Sequence, residues 1–494
     1  MNFARDVLDR SDPRALAMVE LARDGSRHSF SFGEVTERAA LLGGGLRRLG
    51  VGRGDVVMTL IGNRPEWVLT MVACFRIGAV VLPCTEQLRA KDLRQRIDVA
   101  RPQLIVADER NRAELEAAGA GAREPVVYVP DESIFAAEGA PIVELSERDP
   151  CLITFTSGTA GEPKAVVHGQ RYLDGQHAQA RHWLAARAGE LVWCTAASGW
   201  SKSARNVFIA PWLSGAAALL HDARFDPLER VELLQREGVN VLCMAPTEYR
   251  VIAKHARLRP FPRLRGMVAA GEALNPEVLR TWREATGLPI RDGYGQTETG
   301  QLTGAPLDQD PRPGSMGRAL PGIDLAIEDG ELTVDPASVP TFFLGYLGEQ
   351  VERDPDGSWR VSDRREGASW LTGDRVREED GWLYFEGRND DVIVSAGYRI
   401  GPFEVESALV AHPAVAEAAA VAAPDAERGE VVRAVVVLRA GAPPPTPALV
   451  RELQEHVKRE TAPYKYPRIV EFAEELPKTA SGKVKRAELR AAGG

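Results

Sequence analysis

Cysteine is scarce: Cys74, Cys84, Cys151, Cys194 and Cys243 are the only five in 494 residues. Their odd number, wide spacing and lack of a CxxC pair exclude a disulfide framework and give no ligand set for structural zinc. Each lies among apolar residues, which predicts inert buried thiols. Positive charge is also in deficit, with 61 Lys and Arg against 70 Asp and Glu and a formal net charge of -9. That balance argues against nucleic acid as a partner, and any anionic ligand must be met by local positive groups. No long uninterrupted apolar run occurs. The most apolar stretch, 67–84 (WVLTMVACFRIGAVVLPC), is broken by Arg76 and Gly78, which predicts a core helix and a strand rather than a membrane span. The opening MNFARDVLDR lacks the basic and apolar regions of a secretory signal, so a cytoplasmic location is expected.

What is present is an α/β alternation. Val35, Ala39, Leu42, Leu46 and Leu49 recur at helical spacing up to Gly50, VVMTLI (56–61) reads as a buried strand, and Pro65 suits the first turn of a helix. The pattern repeats as strands at 239–244 and 264–269, each followed by a helix, after Pro246 and from Pro276 to Gly287. From about residue 314 the texture changes. DLAIEDGELTV and REEDGWLYFEG each place Asp-Gly between strand-like runs, the mark of β-hairpins. Beyond Arg388 a helix from Pro402, strands near 415–421 and 431–438 and a helix near 447–458 outline a small unit. The expected fold is therefore α/β: a large N-terminal domain (1–389) of α/β layers plus a β-rich subdomain, and a small α+β C-terminal domain (390–494).

Four clusters carry chemistry. Thr156-Ser157-Gly158-Thr159-Ala160-Gly161-Glu162-Pro163-Lys164 follows a strand-like CLITF and offers hydroxyls, backbone N–H groups and a lysine to phosphate oxygens, without the Gly-Lys-Ser/Thr ending of a Walker A loop. An ordinary surface turn is the plain alternative. Asp292-Gly293-Tyr294-Gly295-Gln296-Thr297-Glu298-Thr299-Gly300 lies at the end of a predicted strand, where open α/β sheets place ligands. Its hydroxyl beside a carboxylate suits a phosphate and its metal ion, although Gly-rich loops also merely cap helices. Leu371-Thr372-Gly373-Asp374, with Gly387-Arg388-Asn389-Asp390-Asp391 after it, and the basic run from Pro477 to Arg486 complete the set. Separately the last two would pass for a turn cap and a solvated face.

In this order and spacing the four clusters resemble the adenylate-forming enzymes, the family of acyl-CoA synthetases, peptide-synthetase adenylation domains and firefly luciferase. The resemblance covers essentially the whole chain. GYGQTETG, GRNDDVIVSAGYRIGPFEVESALVAHPAV, TAPYKYPR and PKTASGKVKR are most similar to the medium-chain and acetyl-CoA synthetase branches.

The resemblance implies an AMP-forming acyl-CoA synthetase acting on a medium-chain or aromatic acid, with ATP, Mg2+ and coenzyme A. It assigns the ATP phosphates to Thr156, Ser157, Gly158, Thr159 and Lys164, with Glu162 and Ala165 departing from the commoner Lys and Gly. Gly271, Glu272 and Ala273 would line the adenine pocket, joined by the loop Asp292, Gly293, Tyr294, Gly295, Gln296 and Thr297. Thr297 would meet the α-phosphate, Glu298 magnesium, and Asp374 the ribose, supported by Arg388 and Arg399. Lys483 would be the catalytic lysine, delivered by a mobile C-terminal domain that hinges at Asp390. Ala396, Gly397 and Tyr398, with Arg428, Tyr466, Pro467 and Arg468, would contact coenzyme A. Trp200 and Gly295 would line the acyl pocket, with Gly295 standing where acetyl-specific relatives carry tryptophan. Lys202 is either a solvent-facing charge or a partner for a polar substrate tail. His168 reads as a packing residue rather than a base. A free-standing adenylating enzyme serving a carrier protein, since no carrier domain follows Gly494, and a catalytically silent nucleotide-binding regulator remain as alternatives.

Overall fold

The computed structural model describes the chain except residues 122–123, 157–162, 272–273, 275, 355, 390, 396–397, 426–427, 462, 480–482 and 493–494 and the side chains of Val394 and Arg399. Two seven-stranded sheets organise the N-terminal part. In the first, Pro150–Phe155, Val80–Cys84, Val56–Leu60, Leu104–Asp108 and Val126–Val129 run parallel, while Ala165–Gly169 returns antiparallel to Pro150–Phe155. The first four of these strands are buried at every residue, as parallel strands covered on both faces must be. In the second sheet, Ile290–Gly293, Gly266–Ala270, Val241–Met244, Leu191–Cys194, Ala217–His221 and Leu16–Leu21 run parallel, with Arg27–Ser31 antiparallel at the edge.

The helices form where spacing and caps place them. Phe32–Arg48 begins on a capping box in which the Ser31 side chain accepts from the Glu34 N–H and the Glu34 carboxylate accepts from the Ser31 N–H. Its Val35, Ala39, Leu42 and Leu46 are buried on the sheet side. Pro65–Ile77 starts with proline at its first turn and ends at Gly78, whose φ of 76° closes the helix as only glycine does cheaply. The apolar stretch 67–84 is thus a buried helix and a buried strand. All five thiols are free and buried. Among the described residues no helix is long and apolar enough to cross a membrane.

Both expected hairpins are present. Leu325–Glu328 pairs with Glu331–Val334 through Asp329-Gly330, and Trp370–Glu379 with Trp382–Arg388 through Asp380-Gly381, all four turn residues having positive φ. These strands form one four-stranded sheet. The last sheet has five strands, Tyr398–Ile400, Ile393–Ser395, Gly429–Leu438, Val415–Asp425 and Ile469–Phe472. Helices Pro402–Ala411 and Pro447–Glu460 pack on it through Val405, Leu409, Leu449, Leu453 and Val457. The C-terminal part meets the four-stranded sheet where Phe403 lies edge-on to Phe385, with ring centroids 6.5 Å apart. Gly401 lies so close to the Glu386 carbonyl that a Cβ would stand 2.0 Å from it.

Candidate active site

Asp374 lies mid-strand in Trp370–Glu379, opposite Arg388, and is only 4 % exposed. Its Oδ2 accepts from the Tyr294 hydroxyl and, at 2.8 Å, from Gln296 Nε2, while Arg388 Nη1 stands 3.4 Å from Oδ1. Gln296 is itself fixed: Nε2 also donates to the Thr372 carbonyl at 2.7 Å, and Trp370 Nε1 donates to its Oε1 at 3.0 Å. Tyr294 is held through its N–H, which donates to Thr303 Oγ1 at 3.0 Å. Burial pushes the Asp374 carboxyl up, and Arg388, Tyr294, Gln296 and Lys483 oppose that shift. The result is a rigid, water-poor acceptor oriented from two loops and a sheet. At the foot of the 292–300 loop, burial likewise pushes Asp292 well up, with only the Gly293 N–H opposing.

Glu298 is a half-buried carboxylate in the same loop. Burial raises its pKa, and the Tyr346 hydroxyl, donating to Oε1 at 2.8 Å, counters that. Tyr346 arrives by pairing of Gly345–Tyr346 with Ala165–Gly169, and Lys164 Nζ lies 4.4 Å from its ring centroid and 2.9 Å from Glu349 Oε1. The loop before Lys164 is closed at its base, where Thr156 Oγ1 accepts from the Lys164 N–H at 3.0 Å and the Thr156 N–H donates to the Lys164 carbonyl at 2.9 Å. Nothing local in the sequence marks Tyr346 or Trp370 as site residues.

Lys483 is exposed on a turn where its N–H donates to Thr479 Oγ1 at 3.2 Å and its carbonyl accepts from the Thr479 N–H at 2.8 Å. Its positive charge is the last named of the effects that oppose the burial-driven rise of the Asp374 pKa. The connection is pinned on both sides. Asn389 donates to the Gly373 carbonyl at 2.8 Å and to Glu331 Oε2 at 2.5 Å, whereas Asp391 pairs with Arg490 at 2.7 Å and Arg486 at 3.5 Å on the C-terminal side.

Of the residues expected to meet coenzyme A, Tyr398 and Arg468 are exposed, and Arg428 and Tyr466 are half-buried. Tyr398 is 53 % exposed and stacks on Tyr464 at 4.5 Å. Arg468 lies 5.0 Å from the Tyr466 ring centroid, and the pairing of Ser395 with Gly429 brings Arg428 near Ser395. Pro467 is buried, and its carbonyl accepts from Gln454 Nε2 at 3.0 Å. Ser157, Gly158, Thr159, Glu272, Ala273, Asp390, Ala396, Gly397 and the Arg399 side chain lie outside the described residues.

Gly295 pairs with Gln301 in a two-stranded ribbon, and a Cβ built on it would stand 1.9 Å from the Gly300 carbonyl oxygen. A bulky side chain there therefore requires the ribbon to move, and Gly295 does not simply open a pocket. A small cavity, with room of about 20 Å³, lies at the ends of Leu191–Cys194, Val241–Met244 and Gly266–Ala270. Lys202 and Asn206 line it, whereas Trp200 and Gly295 do not. Thr297 is half-buried, and Gly271, at φ 101°, adjoins Lys202, whose Nζ would lie 3.3 Å from a Cβ there. His168 is fully buried, 4.0 Å from the Tyr172 ring, its nitrogens without hydrogen-bond partners though close to the Thr297 backbone. Burial, helped by Arg205 and Arg171, pushes it down to about 3, so it stays neutral, as a packing residue should.

Residues 5–347 match the model of the AMP-binding enzyme family, and residues 404–483 that of its C-terminal domain. The chain belongs to the AMP-binding enzymes. This AMP-binding enzyme is 37 % identical to acyl-coenzyme A synthetase ACSM3 of Mus musculus over 99 % of its own length and 90 % of that protein. It is 39 % identical to the uncharacterized acyl-CoA ligase YtcI of Bacillus subtilis, over 94 % and 91 %. Among solved structures, an anthranilate CoA ligase, AuaEII, in complex with anthranoyl-AMP covers all of the AMP-binding enzyme at 27 % identity, with 97 % of its own chain matched and a TM-score of 0.87. A Brucella canis acyl-CoA synthetase matches at 33 % identity over 100 % and 94 %, with a TM-score of 0.73. The AMP-binding enzyme is thus an acyl-CoA synthetase, an AMP-forming acid–thiol ligase that uses ATP, Mg2+ and coenzyme A.

Proposed function

We propose that one site performs both half-reactions on a medium-chain or aromatic carboxylic acid, with Asp374 holding the nucleotide and Lys483 serving the first step. The observation that carries this reading is the convergence of Tyr294, Gln296, Arg388 and the Lys483 charge on one buried carboxylate. In this reading Asp374 accepts from both ribose hydroxyls, supported by Arg388 and Arg399. Gly271, Glu272 and Ala273 line the adenine pocket with Asp292, Gly293, Tyr294, Gly295 and Gln296. Thr156, Ser157, Gly158, Thr159 and Lys164 hold the phosphates, and Thr297 the α-phosphate.

Glu298 fits magnesium: a half-buried carboxylate with one hydroxyl donor keeps lone pairs for a hard cation, and its unfavourable burial is relieved by a positive partner. The ion neutralises phosphate charge when bound. The ionised acid then attacks the α-phosphorus, a C–O–P linkage forms, and the bond to pyrophosphate breaks. No general base is needed. The Lys483 ammonium stabilises the added negative charge, which suits a compact cation on a long stem. In the second step the coenzyme A sulfur attacks the acyl carbonyl, its proton leaves to solvent, and AMP departs.

The two steps need different neighbours, and a hinge at Asp390 exchanges them by moving residues 390–494 against 1–389. Support comes from the opposed anchoring of Asn389 and Asp391. Coenzyme A would then meet Ala396, Gly397, Tyr398, Arg428, Tyr466, Pro467 and Arg468. We place the enzyme in the cytoplasm, in keeping with five free buried thiols, and fractionation against mitochondrial markers tests that placement. Pyrophosphate release from ATP, magnesium and a panel of carboxylic acids tests the function. Acid-dependent release supports it, and release of ADP or of nothing across the panel contradicts it.

A further inference from the structure

The cavity at the ends of Leu191–Cys194, Val241–Met244 and Gly266–Ala270 is walled by Trp183, Cys194, Met244 and Ala270 and carries three polar side chains, Lys202, Asn206 and Glu248. Glu248 is already engaged: the Thr195 hydroxyl donates to it and Arg230 stands 3.8 Å away. The donors are not. Lys202 Nζ has the Ala270 carbonyl at 3.5 Å, and among the described residues no carboxylate pairs with it. Asn206 accepts from Gln179 Nε2 through Oδ1, and among the described residues nothing accepts from its own NH2.

Arg205, adjacent in the chain, is 5 % exposed, and among the described residues no acceptor meets its guanidinium. Its Nη1 lies 3.5 Å from where a Gly300 Cβ would be, under the loop that carries Thr297 and Glu298. The Cys243 thiol in the cavity wall, pushed up by its bond to Cys194 and by burial, feels the opposing positive fields of both Lys202 and Arg205. A half-buried lysine with no carboxylate partner among the described residues, facing the same cavity as an amide NH2 without an acceptor, marks a place for an anion. The acid's reactive carboxylate is the partner of Lys483, so the cavity's positive charge is left for another acceptor.

We propose that the acid activated here carries a second carboxylate at its far end, received by Lys202 and Asn206. This rests on the acyl-CoA synthetase reading and narrows its substrate to dicarboxylic acids of short to medium length. A hydroxyl or oxo group would satisfy the hydrogen bonds but leave the charge unmet. Alkyl tails would leave both unmet, which a site built from buried donors rejects strongly.

The test is pyrophosphate release by wild type, Lys202→Met and Lys202→Arg with glutarate, adipate, 6-hydroxyhexanoate, hexanoate and benzoate. Wild type should favour adipate or glutarate over hexanoate by about tenfold or more in kcat/KM. Lys202→Met should collapse that ratio by about tenfold, and Lys202→Arg should restore most of it. A wild-type preference for hexanoate or benzoate overturns the inference while leaving the parent function standing. A preference for 6-hydroxyhexanoate over adipate overturns the charge assignment. An equal loss on every acid in Lys202→Met assigns the lysine to the reactive carboxylate and also overturns it. Silence on all acids contradicts the parent reading instead.

Discussion

The surroundings of Asp374 and of Lys483 are built in opposite ways. Asp374 stands inside a strand and is held by side chains that are themselves held, Gln296 by Trp370 and Thr372, Tyr294 by Thr303. Lys483 is exposed and held locally by Thr479, and the Arg486 and Arg490 that follow it pair with Asp391 within the C-terminal part. In the proposed mechanism the binding groups stand on sheet and the catalytic charge on the moving part, as two reactions in one site require. Each region can be broken without the other.

The largest effect is expected from Lys483→Ala. Adenylation should fall by a hundredfold or more, about 2.7 kcal/mol or greater, while transfer from supplied acyl-adenylate to coenzyme A stays within a few-fold. Pyrophosphate exchange and single-turnover transfer measure the two, and adenylation within tenfold of wild type would remove the lysine from the mechanism. Asp390→Pro should do the reverse. Proline fixes φ and restricts Asn389, so thioester formation should slow by more than about tenfold while exchange persists. Equal slowing of both would locate the hinge elsewhere.

Tyr346→Phe sharpens the fixed side of the comparison. Burial raises the Glu298 pKa and the Tyr346 hydroxyl lowers it, so removing the hydroxyl moves the acidic limb of kcat/KM for ATP to higher pH. Activity is present above that limb and lost as pH falls through it. An unmoved limb would mean that another group titrates there. The smallest change is expected from Arg468→Ala: a rise of a few-fold in KM for coenzyme A, read from thioester formation, with pyrophosphate exchange unchanged. A change in exchange would place Arg468 in the first half-reaction.

Much of the fixed site was legible because its residues sit in local runs: Tyr294, Gln296 and Glu298 in one loop, Asp374 and Arg388 on paired strands. The Asp-Gly hairpins and the proline-started helices were legible for the same reason, since turn chemistry is local. Tyr346 and Trp370 were not, because sheet pairing across long sequence separations delivers them. Ribbon pairing of Gln296 with Gly300 likewise sets the Gly300 carbonyl against position 295, a close approach that the sequence alone does not reveal. Arg205 carries no motif at all. Its lack of an acceptor is a property of the folded interior.

The central claim is that one site adenylates first and transfers second, and staging the reaction tests it most directly. Enzyme is mixed with ATP, magnesium and its preferred acid without coenzyme A, quenched, and assayed for pyrophosphate and acyl-adenylate; coenzyme A is added to a parallel sample. The account predicts one pyrophosphate and one retained acyl-adenylate per site before the thiol is added, then one acyl-CoA and one AMP after it. Pyrophosphate release that waits for coenzyme A, or ADP as the nucleotide product, would contradict it.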